Sequence, residues 1–276
     1  MKPLSKFDLS ADIALVTGGA GLLGLQHCEA LLEAGSRVVI LDIDQSAIER
    51  YNEKFSTKYH DKIYSLITNI SSESEIVSAK EEIYKKFNAY PSILINNAAI
   101  DAKYETNKKI NATRLEDFDL NQWNLEISVG LSGAFLCSKH FGTEMARAGK
   151  GVILNISSDL GLIAPSQFLY EDNSLPVDKQ TVKPVTYSVI KHGLIGLTRY
   201  MSTYWAKNGV RCNALAPGGV LNNHDTEFKE KLSKLIPMGR MANIDEYKST
   251  IIYMCSDASS YMNGSIISID GGRTGW

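Results

Sequence analysis

Tyr187 and Lys191 are four residues apart, so on a helix their side chains would lie on the same face. A neighbouring ammonium stabilises a phenolate and lowers the pKa of a phenol from about 10 toward neutrality. Such a tyrosine can exchange a proton with a substrate alcohol or carbonyl. An isolated pair of this kind is a weak signal, because a helical tyrosine often simply packs against a lysine stem.

A glycine-rich segment, Thr17-Gly-Gly-Ala-Gly-Leu-Leu-Gly24, follows a short apolar run near the N-terminus. Where a strand leads into a helix, the unpaired N–H groups and the positive end of the helix dipole attract a pyrophosphate. Glycine allows the close backbone approach that this contact needs. The segment therefore predicts a dinucleotide site, although glycine-rich turns also occur for purely structural reasons.

Asp42 ends the second predicted strand, about 18 residues after Gly24. A carboxylate at this position accepts hydrogen bonds from the 2′-hydroxyl of the adenosine ribose. It would repel a 2′-phosphate, and neither the glycine-rich segment nor the stretch from Asp42 to Gln45 contains Lys or Arg. The sequence therefore favours NAD over NADP.

Short β-rich runs alternate with segments of helical period, which predicts one α/β domain over residues 1–276 with a doubly wound, seven-stranded parallel sheet and helices on both faces. The predicted strands are 13–17, 37–42, 63–67, 93–96, 151–157, 210–214 and 265–270. The predicted helices are 22–34, 73–87, 120–148 and 185–207. Residues 101–119, 161–183 and 221–236 are predicted substrate loops, with solvated surface insertions as the alternative.

Composition excludes several classes of protein. The net charge of -2 and pI near 6.2 argue against nucleic-acid or membrane partners and leave a small-molecule substrate. The four cysteines are far apart and are predicted to be reduced core thiols, and no two of the five histidines have metal-ligand spacing. With no signal-like or membrane-length apolar run, the expected location is the cytoplasm.

Taken together, these motifs resemble those of the short-chain dehydrogenase/reductase family over nearly the whole chain. The resemblance is carried by Thr17 to Gly24, Asn96-Asn-Ala-Ala99, Ser158, Tyr187, Lys191 and Pro217-Gly218. It implies a Rossmann fold and an oxidoreductase acting on CH–OH groups. It further resembles the branch of bacterial surface-glycan and flagellin modification, which suggests a sugar or nucleotide-sugar substrate.

The resemblance implies a role for each matching residue. Tyr187 would be the general acid/base, Lys191 would assist it and bind the nicotinamide ribose, and Ser158 would hold the substrate oxygen, with Ser157 as the alternative register. The implied cofactor contacts are Thr17, Gly18, Gly19, Gly21, Leu22, Leu23, Gly24, Asp42, Ile43, Asn69, Ile70, Asn97, Ala98, Ala99, Tyr187, Lys191, Pro217, Gly218 and Val220.

Three positions depart from the family pattern. Leu22 replaces a usual glycine, with Gly21 taking over the flexible position, and Asn69 replaces an acidic residue beside the adenine. Gly130 stands where the family usually has a catalytic asparagine, and Ser128 or Ser132 could replace its side chain only if the helix register permits.

Three functions therefore stay open: an NAD-dependent sugar or alcohol dehydrogenase, an NADP-dependent carbonyl reductase, and a dinucleotide-binding protein without turnover. The resemblance also implies a homotetramer, or a homodimer, built through the two long helices and the last strand. The C-terminal residues 271–276 would then lie near a subunit interface, or would fray.

Overall fold

The computed structural model describes residues 2–100, 113–172 and 174–276. Seven parallel strands form one sheet in the order β3-β2-β1-β4-β5-β6-β7. The strands are β1 (Ile13–Thr17), β2 (Arg37–Asp42), β3 (Ile63–Ile67), β4 (Ile93–Asn96), β5 (Gly151–Ile156), β6 (Val210–Pro217) and β7 (Ile266–Ile269). The strand order reverses between β1 and β4, which opens a crevice at their carboxyl ends, where ligands of such sheets bind. The predicted fold is thereby confirmed.

Helices cover both faces of this sheet. They are α1 (Leu22–Glu33), α2 (Gln45–Tyr59), α3 (Glu73–Phe87), α4 (Leu120–Ile127), α5 (Gly133–Cys137), α6 (Thr143–Ala148), α7 (Val185–Tyr204), α8 (Thr226–Lys234) and α9 (Lys248–Cys255). Two π-helical segments, Ser128–Ser132 and Ser138–Gly142, join α4, α5 and α6 into the single long helix that the sequence predicted. The helices α2, α8 and α9 were not predicted from the sequence. The segment 221–236, predicted to be a loop, therefore contains the helix α8.

The core consists of two layers divided by the sheet. Ala14 and Val16 of β1 belong to a cluster that includes residues of α1, α2 and α9, whereas Ile13 and Leu15 belong to a cluster with residues of α3 and α7. Successive strand residues face opposite sides, so a strand buried on both faces must be continuously apolar. This explains why β1 reads as an unbroken apolar run.

Strand ends decide which residues face the crevice. The strand β5 ends at Ile156, one residue earlier than predicted, so Ser157 and Ser158 lie just beyond it. The strand β6 continues to Pro217, which pairs with Ile269 of β7. Across the described ranges, we find no helix with both the length and the apolar character needed to cross a bilayer.

Candidate active site

A cavity of about 620 Å³ opens at the carboxyl edge of the sheet and extends to α7. It brings together residues from the ends of six strands, β1 to β6, a convergence typical of ligand sites. The predicted residues that line it are Gly18, Gly21, Leu22, Leu23, Asp42, Ile43, Asn69, Ile70, Asn97, Ala98, Ala99, Ser158, Tyr187, Lys191, Pro217, Gly218 and Val220. Thr17, Gly19 and Gly24 lie behind this lining.

The glycine-rich turn is fixed against the end of β4. Gly18 has φ +60°, and a Cβ there would lie 2.8 Å from Cα of Ala98. Thr17 is buried, and its Oγ1 accepts hydrogen bonds of 3.1 Å from the backbone N–H groups of Asn97 and Ala98. A Cβ at Gly24 would collide with the carbonyl oxygen of Gly18. Thr17 and Gly24 thus shape the turn, while Gly18 borders the cavity.

Asp42 stands at the rim where the adenosine ribose is predicted to lie. Its Oδ2 accepts a 3.1 Å hydrogen bond from the N–H of Ala20, and its Oδ1 accepts one of the same length from the N–H of Asp44. The carboxylate is therefore held at the glycine-rich turn. The Oδ1 of Asn69 accepts from Ser71 N at 3.0 Å and Ser71 Oγ at 2.7 Å, which leaves its amide nitrogen as the group that can contact a ligand.

Tyr187 and Lys191 both face the cavity from α7, as their spacing predicts. Lys191 is buried and its Nζ donates a 2.8 Å hydrogen bond to the carbonyl oxygen of Ile156. That Nζ lies 5.6 Å from the centroid of the Tyr187 ring, and the Nζ of Lys183 lies 3.9 Å from it. Two ammonium groups therefore lie near the Tyr187 ring. Of the two lysines, only Lys191 was predicted to be catalytic.

Ser157 and Ser158 both border the cavity but make different contacts. The Ser157 hydroxyl donates a 2.8 Å hydrogen bond to the carbonyl oxygen of Lys191, which occupies its only proton in the backbone of α7. The Ser158 hydroxyl donates to Oδ1 of Asp159 at 2.7 Å and accepts from the N–H of Leu160 at 3.2 Å. Both hydroxyl protons are therefore occupied, that of Ser157 by the backbone of α7 and that of Ser158 by a neighbouring side chain.

An ion pair that the sequence analysis missed lies beside Ser158. The Nη1 of Arg273 is 2.7 Å from Oδ2 of Asp159, and the two residues are only 6% and 3% exposed. Arg273 also lines the cavity. The C-terminal segment thus reaches its own chain's site through Arg273, while Trp276 at its end is 78% exposed. The position of Arg273 after the last strand was the signal available in the sequence.

Gly130 lies in the first π-helical segment, buried against α7. A Cβ there would lie 2.8 Å from Cγ2 of Ile190. The hydroxyl of Ser128 donates to the carbonyl oxygen of Leu125 at 2.7 Å, and Ser132 is exposed. Neither serine borders the cavity, so neither replaces the missing asparagine side chain.

The second predicted substrate loop and α8 build the outer wall of the cavity. Leu169 and Tyr170 border it from the loop, and Phe228 and Leu232 border it from α8. The rings of Tyr170 and Phe228 lie 5.8 Å apart between centroids. The wall is thus apolar and aromatic, with Asn222, His224 and Lys183 as its polar members.

The first predicted loop falls mostly outside the described residues. Lys103, Tyr104, Lys108 and Lys109 all belong to that part. Thr113 is described, and its Oγ1 accepts a 2.9 Å hydrogen bond from the N–H of Val182, which ties the ends of the two loops together. Over residues 2–100, 113–172 and 174–276, no three His, Cys, Asp or Glu residues cluster so that they could hold a metal ion.

Several known proteins are similar to this chain in sequence and architecture. The model of the short chain dehydrogenase family matches residues 12–170, and that of enoyl-(acyl carrier protein) reductase matches residues 174–274. A 3-oxoacyl-(acyl-carrier-protein) reductase FabG of Aquifex aeolicus is 31% identical over 96% of this chain and 98% of its own. Galactitol 2-dehydrogenase (L-tagatose-forming) of Cereibacter sphaeroides is 28% identical over 98% of both chains.

A solved structure is similar over the same extent. The gluconate 5-dehydrogenase of Burkholderia cenocepacia, in complex with NADP and tartrate, superposes with a TM-score of 0.83 at 26% identity, covering 99% of each chain.

Proposed function

Because the chain belongs to the short-chain dehydrogenase/reductase family, whose members are oxidoreductases acting on CH–OH groups, we propose that it oxidises a secondary alcohol, or reduces the ketone, with NAD(H). The observation that carries this proposal is the convergence of Ser158, Tyr187 and Lys191 on one cavity that the glycine-rich turn also borders. The glycine-rich turn packs so closely on Ala98 that a Cβ at Gly18 would collide with it, and its backbone borders the cavity, which fits a dinucleotide. When bound, the nicotinamide supplies the hydride acceptor or donor.

The protein's part in the reaction is to hold the substrate oxygen and to move its proton. In the oxidative direction, the Tyr187 oxygen takes the hydroxyl proton of the substrate. Lys191 and Lys183 favour this step, since two nearby positive charges stabilise a phenolate. Ser158 fixes the substrate oxygen by hydrogen bonding, and the apolar wall formed with α8 excludes water.

The preference for NAD rests on Asp42. Among the described residues, the Lys and Arg side chains that border the cavity are Lys183, Lys191 and Arg273. All three lie at the end occupied by Tyr187 and Ser158 rather than at the glycine-rich turn. A 2′-phosphate would therefore meet the Asp42 carboxylate without a neutralising partner. The gluconate 5-dehydrogenase that resembles this chain binds NADP, so an NADP-dependent carbonyl reductase is the competing proposal.

The substrate class that fits best is a polyol or a sugar derivative. The polar groups of the wall, Asn222, His224 and Lys183, suit hydroxyl groups on a small molecule. Two of the similar proteins are named as dehydrogenases of galactitol, a polyol, and of gluconate, a sugar acid. A nucleotide-sugar and a role in glycan biosynthesis stay predictions, which none of these relatives supports.

The experiment that tests the proposal follows NADH formation at 340 nm over polyols, sugar acids, sugar phosphates and simple alcohols, with NAD and NADP in parallel. Tyr187→Phe is expected to lose turnover by at least about 100-fold while keeping the wild-type dissociation constant for NAD. The matched variant is Tyr200→Phe on the exposed face of the same helix, which should keep wild-type turnover. Full activity in Tyr187→Phe would refute the mechanism. Tight NAD binding without turnover on any substrate would favour the non-catalytic alternative.

For the assembly, we propose a homotetramer, with a homodimer as the alternative. Val189, Tyr200 and Tyr204 are exposed along one face of α7, and Phe135 is half-exposed on α5. Aromatic side chains exposed in this number are typical of an interface. The edge strand β7, whose residues are only partly buried, offers a second surface.

A further inference from the structure

The buried ion pair of Asp159 and Arg273 has no role in the mechanism above. Its atoms Oδ2 and Nη1 are 2.7 Å apart, although the residues are separated by 114 positions in the chain. A charge buried at this level is costly unless it is paired. The pair also lies at the cavity, where a polar pair could act on the reaction as well as on stability.

The other oxygen of Asp159 contacts the proposed catalytic serine. Oδ1 accepts hydrogen bonds from the Ser158 hydroxyl at 2.7 Å and from the N–H of Leu160 at 2.8 Å. Ser158 is also the N-cap of the short 3₁₀ turn Asp159–Gly161. A continuous chain of polar contacts thus runs from Arg273 through Asp159 to the Ser158 oxygen that faces the cavity.

The position of Arg273 is set by the turn that follows β7. The carboxylate of Asp270 accepts hydrogen bonds from Ser268 Oγ, Gly272 N, Thr274 N and Thr274 Oγ1. Gly271 and Gly272 have φ values of +66° and +91°, which side chains rarely adopt. The guanidinium is therefore presented by a rigid turn rather than by a free tail.

We propose that Arg273, acting through Asp159, is a positioning residue for Ser158, so that the C-terminal segment is part of the catalytic apparatus; this rests on the proposed function. Ser158 has one hydroxyl proton, and in this structure Asp159 accepts it. To donate a hydrogen bond to a substrate oxygen, Ser158 must release that contact. The positive charge of Arg273 weakens Asp159 as an acceptor and fixes its rotamer, which leaves the Ser158 oxygen in place and its proton available.

The test combines Arg273→Gln with Ser158→Ala in a double-mutant cycle of kcat. In the wild-type background, Arg273→Gln is expected to lower kcat by about 10- to 100-fold, with the NAD dissociation constant unchanged by fluorescence titration. In the Ser158→Ala background, the same substitution should lower kcat by less than about twofold, because residues that act as a unit are not additive. Arg273→Lys, which keeps the charge, should restore kcat to within about threefold of wild type.

The control is Arg240→Gln, which removes a different ion pair, with Glu246, away from Ser158. It should leave kcat unchanged. If Arg273→Gln does not fold, the cycle uses Asp159→Asn together with Arg273→Gln, which leaves no unpaired buried charge. Equal losses from the Arg273 substitution in both serine backgrounds would overturn the proposal and leave the pair a purely structural anchor. That result, with an inactive Tyr187→Phe, would leave the proposed function standing.

Discussion

Restoring the family's usual asparagine at Gly130 is expected to destabilise the protein rather than improve it. Gly130 is buried in a π-helical segment, and a Cβ there would lie 2.8 Å from Cγ2 and 3.0 Å from Cδ1 of Ile190. Carbon atoms normally pack at about 3.5–4.0 Å, so the added atom overlaps its neighbour by about 0.5–1 Å. Ile190 lies on α7 between Tyr187 and Lys191, so the overlap is relieved either by a strained Ile190 rotamer or by a shift of the helix that carries both.

The size of the effect follows from two opposing contributions. Overpacking of a buried site costs about 1–3 kcal/mol, while replacing a helical glycine by alanine gains about 0.5–1 kcal/mol. Gly130→Ala should therefore lower the free energy of unfolding by about 1 kcal/mol. Gly130→Asn also buries an amide, which costs about 1–3 kcal/mol when it finds no partner. Its expected loss is about 3 kcal/mol.

Urea unfolding at one fixed protein concentration measures both values, with Ser132→Ala in the same π-helical segment as the exposed control. Ile190→Ala removes the atoms that the new side chain would meet. The double variant Gly130→Ala/Ile190→Ala should therefore be more stable than the sum of the two single losses predicts, by at least about 1 kcal/mol. A Gly130→Ala protein as stable as wild type, or purely additive losses, would refute this reasoning.

Three further predictions concern other parts of the chain. His27 is fully buried, neither of its ring nitrogens has a hydrogen-bond partner among the described residues, and burial lowers its pKa to about 3 from 6.5. Between those pH values only the unfolded chain binds the proton, so the free energy of unfolding should fall with falling pH by up to about 1.4 kcal/mol per pH unit. In His27→Leu this part of the pH dependence should disappear. If urea unfolding gives the same slope of stability against pH in both proteins, the prediction is wrong. Asp42→Ser should weaken NAD binding by about 10-fold and reduce the preference for NAD over NADP, both measured by isothermal titration calorimetry. If the ratio of the NAD and NADP dissociation constants does not change, Asp42 does not contact the cofactor. Gly196 is exposed on α7, and nothing lies within 4 Å of a Cβ built there. If this face of α7 packs against a second copy of the chain, as we propose, Gly196→Ala should dissociate the oligomer, which light scattering detects. An unchanged oligomer with a raised melting temperature would show that the face is free and would contradict the interface.

Local patterns in the sequence were sufficient to predict most elements of the fold. The helix α3 was predicted with the bounds that the structure shows, and the structure adds the reason for those bounds: Ser72 caps the first turn and Asn88 ends the helix in the left-handed region at φ 51°. By contrast, α2 and α8 were not predicted, although each has an apolar face: α2 buries Ile48, Tyr51 and Phe55, and α8 buries Leu232, among many charged residues. Their positions follow from packing against the rest of the molecule.

The sequence by itself determined the sheet, the glycine-rich turn and the pairing of Tyr187 with Lys191 on one helical face, because strand alternation, turn chemistry and helical spacing are local properties. Only the tertiary structure decided that Lys183 approaches the phenol, that Ser157 is bound to the backbone of α7, and that Asp159 meets Arg273. Ser157 and Lys191 are 34 positions apart, and Asp159 and Arg273 are 114 positions apart. Lys183 is only four residues before Tyr187, but it precedes the first residue of α7, so helical spacing does not place it over the ring. The two longer-range contacts exist only once the strands bring their carboxyl ends to one edge of the sheet.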